Sequence, residues 1–156
     1  MDAPSTLEEA RRFLGAKRIA FVGLSRNPKD FSRGVLRALV ERGYDVVGVH
    51  PEPPAGDGVS WFARVQDVSP PAEAALVMTS PGQTERVLRD CAAAGVRRVW
   101  LHRGAGAGAA SPNALAFCKE HGIEAVHGLC PFMALPGAGF GHRVHAFFRL
   151  RKARPS

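Results

Sequence analysis

The stretch IAFVGLSRNPKDFSRGVLRAL, Ile19 to Leu39, constrains the fold more than any other part of the chain. Ile19–Val22 is a short run with no polar residue, the pattern of a strand covered on both sheet faces. Gly23 turns the chain, and Val35, Leu36, Leu39 and Val40 then recur at helical spacing until Gly43. A buried strand, a glycine turn and an amphipathic helix make the first half of a βαβ unit, which requires a second strand parallel to the first. YDVVGVHP, ended by Pro51, supplies it.

The same alternation continues to the end of the core. PSTLEEARRFLGA predicts a first helix from about Thr6 to Leu14, with Ser5 and Glu8 spaced as a capping box and Gly15 as the stop. Ser32 is placed to cap the helix after Gly23. PEPPAGDG is a turn-rich loop, Val59–Trp61 a short edge strand, and FARVQDVSPP about one helical turn. AALVM, RRVWLH and IEAVHGLC read as further strands. SPGQTERVLRDCAAAG and PNALAFCKEHG read as the helices between them, and another helix starts near Pro131. The expected fold is α/β: a single doubly wound parallel sheet of five or six strands in Rossmann-like order, with ligand chemistry at the strands' carboxyl ends. One domain spans residues 1–156, with its core at about 16–136 and a basic segment at 141–156; 156 residues suit one core.

No apolar run approaches the roughly 20 residues that span a bilayer, and the N-terminus does not read as a secretory signal. Cys91, Cys118 and Cys130 are odd in number, widely spaced and without a CxxC pair. That argues against a disulfide framework or a metal site and for a reducing, cytoplasmic setting. The net charge is +7, and 17 of the 21 basic residues are arginine. Such a surface attracts polyanions without choosing among nucleic acid, a membrane and a small ligand.

The opening turn bears on that choice. Gly23, Ser25, Arg26, Lys29, Ser32 and Arg33 form a glycine turn with two hydroxyls and three basic side chains, which favours an anion. The dinucleotide fingerprint G-x-G-x-x-G is broken, because Ser25 and Pro28 replace its second and third glycines. At the end of the second strand, where NAD-binding domains place an acid for the ribose diol, stands His50. Both features count against NAD.

VGLSRNPKDFSRGVLRALVERGYDVVGVHP, ALVMTSP, VRRVWLHRGAG and GIEAVHGLCPFM, in that order, resemble the small stand-alone CoA-binding proteins. These are Rossmann-like and similar to the CoA-binding domain of the succinyl-CoA synthetase alpha subunit. The resemblance covers roughly Arg18 to Leu135. It implies that the Gly23–Ser25–Arg26 turn meets the phosphates of coenzyme A and that His50–Pro51 passes its adenosine end. It further implies that Thr79, Ser80 and Pro81 flank the pantetheine arm, with Leu101, His102 and Arg103 beside it. The synthetases carry a lysine just after the second-strand proline, whereas this chain reads PEPP, so charge for the adenosine end comes from elsewhere. Their active histidine belongs to a second domain, so the resemblance implies the binding half alone.

His127 and Cys130, three residues apart, could suggest a nucleophile pair, although such pairs are usually assembled from distant segments. Cys91 and Cys118 read as core residues on helix faces, while Cys130 falls at a strand's carboxyl end, where a pantetheine thiol could reach it. HExxH, GxSxG and the phosphate loop GxxxxGK[ST] do not occur. The leading expectation is non-catalytic binding of coenzyme A or an acyl-CoA, with a protein partner or a homo-oligomer left open and no membrane partner. An NAD(P)-binding oxidoreductase or subunit is the alternative. A nucleic-acid-associated protein, suggested by Phe147 and Phe148 amid the basic C-terminal residues, stands third. On this reading Gly23→Val abolishes binding with little loss of fold.

Overall fold

A computed structural model of the chain describes residues 3–53, 58–102 and 109–135. Arg103 and the basic segment 141–156 lie outside them. The elements run α1 (Leu7–Leu14), β1 (Ile19–Val22), α2 (Phe31–Glu41), β2 (Val46–Val49), β3 (Trp61–Phe62), a 3-10 helix (Val65–Asp67) and β4 (Ala74–Val77). There follow α3 (Pro81–Ala93), β5 (Arg98–Leu101), α4 (Pro112–Glu120), β6 (Glu124–His127) and α5 (Pro131–Ala134).

The six strands form one sheet in the order β3-β2-β1-β4-β5-β6, and every neighbouring pair is parallel. This is the doubly wound arrangement that the alternating pattern predicts. β1, β2 and β4 are buried along their whole length, which explains why they read as unbroken apolar runs. Alternate side chains divide between two layers. Ala20 and Val22 of β1 face α3, α4 and the 3-10 helix, where Val65, Leu88, Cys91 and Cys118 lie. Ile19 and Phe21 face α1, α2 and α5, with Phe13, Leu36, Leu39 and Trp100. Phe13 meets Trp100 edge to face at 5.5 Å, and the buried indole N–H donates to the Leu129 carbonyl at 3.1 Å. That bond satisfies the one polar atom the large ring carries into the core.

Three local details depart from the sequence reading. The capping box of α1 is Thr6 with Glu9, one residue later than Ser5 with Glu8. Ser5 is instead drawn to the sheet edge: its N–H donates to the His127 carbonyl at 2.8 Å, and its hydroxyl accepts the His127 N–H at 3.0 Å. Asp30, not Ser32, caps α2, its carboxylate accepting the Ser32 N–H at 2.9 Å. The edge strand is Trp61–Phe62, because those are the residues that come alongside Gly48 and Val49.

Candidate functional site

β1 lies between β2 and β4, and the chain leaves β1 and β4 toward opposite faces, through α2 and α3. A crevice opens at such a switch point, beyond the strands' carboxyl ends. Here it is a cleft of about 1000 Å³. The β1–α2 turn lines one side with Gly23, Leu24, Ser25, Asp30, Phe31 and Ser32, and Val49, His50 and Pro51 close the end of β2. The opposite side is Ala63, Arg64 and Val65 after β3, with Met78, Thr79, Ser80, Gln83, Arg86 and Val87 from the end of β4 and α3.

Gly23 holds the two sides together. Its φ is +101°, and a Cβ at this position would lie 2.7 Å from both the carbonyl carbon and the carbonyl oxygen of Met78. Backbone cannot yield there, so the glycine is required by the fold itself as the turn packs on the end of β4. The expectation that Gly23→Val leaves the fold intact is corrected accordingly.

The turn's polar groups largely satisfy one another. The Ser25 N–H donates to Ser32 Oγ at 3.0 Å, and Ser32 Oγ donates to Asp30 Oδ2 at 2.7 Å. Ser25 Oγ accepts the Asn27 N–H at 3.1 Å, and Asn27 Oδ1 accepts the Lys29 N–H at 3.0 Å. Asp30 thus brings a carboxylate to the helix N-terminus, where the sequence pattern alone favours a bound anion. Arg26 does not line the cleft. It reaches across the lip to the Glu52 carbonyl at 2.6 Å, with the Glu52 carboxylate 4.0 Å away. His50 is half-buried, and its Nδ1 accepts the Glu52 N–H at 2.9 Å. In the neutral ring this leaves Nε2 as the protonated nitrogen.

The other side is less committed. Ser80 stands at the N-cap of α3, but its hydroxyl makes no capping bond; Pro81 follows as the first helical residue, exposed and outside the cleft lining. Thr79 is buried, its hydroxyl 2.7 Å from that of Thr84, which also donates to the Ser80 carbonyl. Arg64 donates to Asp90 Oδ1 at 3.0 Å, and Gln66 shares that oxygen at 2.8 Å. Arg86 is exposed and makes no ion pair or hydrogen bond among the described residues. Neither arginine is part of a recognisable motif.

Of the sequence-derived candidates, Gly23, Ser25, Ser32, His50, Pro51, Thr79 and Ser80 converge on the cleft. Arg33 is half-buried on α2, outside its lining. Leu101 is a core residue, 1% exposed. His102 is half-buried against Phe31, ring centres 5.6 Å apart, and Phe31 also meets Phe132 at 5.5 Å. Phe31 itself lines the cleft, which His102 does not. Burial lowers the basicity of His102. Cys130 is half-exposed at the N-cap of the four-residue α5 and outside the cleft lining. Cys91 and Cys118 are buried, and burial pushes their thiols up to about 12 and about 11. Thiols so weakly acidic are poor nucleophiles near neutrality. Among the described residues no group of three or more His, Cys, Asp or Glu could hold a metal ion, and no helix is long and apolar enough to cross a membrane.

Residues 17–136 match the family model described as CoA binding domain. Protein YneT of Bacillus subtilis (strain 168), described as uncharacterized, is 27% identical over 130 residues, covering 83% of this chain and 93% of that protein. A hypothetical protein from Pyrococcus horikoshii OT3 superposes with a TM-score of 0.74 at 25% identity, over 86% of this chain and 94% of its own. The dinucleotide forming acetyl-coenzyme A synthetase 1 of Ca. Korarchaeum cryptofilum, solved with phosphate and ADP, shares the fold with a TM-score of 0.64 at 21% identity. That match covers 78% of this chain but 27% of the synthetase.

Proposed function

The chain belongs to the CoA binding domain family, and on that premise we propose that its switch-point cleft binds coenzyme A or an acyl-CoA and holds it without reacting. The observation that carries the proposal is the cleft, at the top of the size range of small-molecule sites and open along the carboxyl ends of β1, β2 and β4. The Gly23–Ser25 turn lies beneath the ligand's phosphates, with Ser25 Oγ and Arg26 able to donate from the lip. The adenosine end lies toward His50 and Pro51, and the pantetheine arm leaves past Thr79 and Ser80.

How the cleft's titratable groups are engaged supports a holding role. Asp30 is bonded to the first turn of α2, and His50 has given its Nδ1 lone pair to a backbone N–H. Neither is arranged as the base of a nucleophile. The absence of an acid at the end of β2 argues against a nicotinamide dinucleotide as the ligand.

Calorimetric titration with coenzyme A, acetyl-CoA, NAD and NADP tests the proposal, with thermal unfolding followed at matched ligand concentrations. One molecule of coenzyme A or its thioester should bind per chain and raise the unfolding temperature more than either dinucleotide does. Equal stabilisation by NAD, or release of free thiol from acetyl-CoA by the protein, would overturn it.

A further inference from the structure

The two arginines of the cleft come from different elements, yet both line it and both are tied to α3. Arg64 is tied to Asp90 of α3, and Asp90 stands four residues after Arg86, on the same helical face. A guanidinium has five N–H donors, of which Arg64 commits one to Asp90. Arg86 commits none among the described residues. Across the cleft the N-terminus of α2 is already met by the Asp30 carboxylate, which accepts the Ser32 N–H, and no arginine or lysine of that turn lines the cleft. Positive charge on the lining is thus concentrated on the flank formed by the 3-10 helix and α3, beside the end of β2.

We infer that Arg64 and Arg86 together seat the phosphomonoester on the ligand's adenosine ribose, so that the protein discriminates coenzyme A from its dephospho form. The inference rests on the coenzyme A reading above and specifies it. In dinucleotide-binding doubly wound folds the adenosine ribose lies at the end of the second strand, where an arginine accommodates the 2′-phosphate of NADP, and the same ion-pair chemistry suits the ribose phosphomonoester of coenzyme A. A phosphomonoester carries close to two negative charges at neutral pH and offers three acceptor oxygens. Two guanidiniums match that charge and can each make paired N–H···O bonds, which the singly charged linking phosphates do less well. The flank thereby supplies the positive charge that PEPP after the second strand does not.

The test is titration of the whole chain with coenzyme A and with dephospho-coenzyme A. The parent should prefer coenzyme A by roughly tenfold or more, the scale of a hydrogen bond to a charged group. In Arg64→Gln/Arg86→Gln the preference should shrink to about twofold or less, mainly through weaker coenzyme A binding. Arg11→Gln, on α1 and outside the cleft lining, should keep the parent's preference. Both substituted arginines are exposed, so the variant folds; its unfolding midpoint serves as the check. Equal affinity of the parent for both ligands, or a preference that survives in the double variant, overturns the inference and leaves the coenzyme A reading standing. Failure of the parent to bind either ligand overturns both.

Discussion

The two turns that face each other across the switch point are built on opposite plans. Between β1 and α2, Ser25, Asn27, Asp30 and Ser32 hydrogen-bond mainly to one another, and Gly23 is wedged against Met78. Between β4 and α3, the Ser80 hydroxyl makes no capping bond, Gly82 has open space around it, and Arg86 is without a partner among the described residues. The first turn is a wall whose polar groups are mostly engaged with one another. The second keeps polar groups available to whatever enters. Serines and basic residues around a glycine therefore do not by themselves mark where an anion sits; what matters is whether those groups are already engaged.

The largest expected effect comes from placing a methyl group on each side. Gly23→Ala should destabilise the fold by about 2–4 kcal/mol, from a positive φ and a backbone overlap together. Gly82→Ala should be neutral or stabilise by about 0.5–1 kcal/mol, since Ala is the better helix former and nothing lies within reach of its Cβ. Urea unfolding of both variants measures this, and similar midpoints would erase the contrast between the turns. The caps give a smaller version. Asp30→Ala should cost about 1 kcal/mol, while Ser80→Ala should cost a few tenths, because only the first removes a capping bond. A comparable loss from both would show that the Ser80 hydroxyl is engaged after all.

The smallest effect concerns His102, which packs behind the first wall against Phe31. Burial lowers its folded pKa below the ordinary 6.5, so below that value the unfolded chain takes up a proton more readily than the native one. The contribution to stability is therefore intact above pH 6.5 and declines as the pH falls toward the folded value. His102→Phe should flatten that part of the stability–pH curve. An unchanged slope would mean that the ring is solvated and the wall looser than its contacts imply.

The strand-and-helix alternation was legible because β1, β2 and β4 are buried on both faces, leaving short apolar runs whose length and flanking turn residues mark covered strands. Capping was legible only to within a residue or two. Ser5, Thr6, Glu8 and Glu9 all suit a capping box, and what decides among them is the pull of the β6 edge on Ser5, a contact spanning 122 residues. On α2 both Asp30 and Ser32 are good caps, and local geometry favoured the earlier one. Gly23, His50 and Ser80 were found because turn residues at strand ends are visible in a pattern. Arg64 and Arg86 were not, since their proximity depends on an ion pair to Asp90 across 26 residues and no local spacing encodes it.

The bonds between Ser5 and His127 also bear on what this chain does in a crowd of its own kind. A parallel sheet exposes a row of unpaired amides and carbonyls on each outermost strand, a template on which another chain can polymerise. Here one such strand, β3, is two residues long. The other, β6, has the amide and carbonyl of His127 already occupied by Ser5. Strand addition at either margin has little to grip, so the sheet edges are poor templates for self-association.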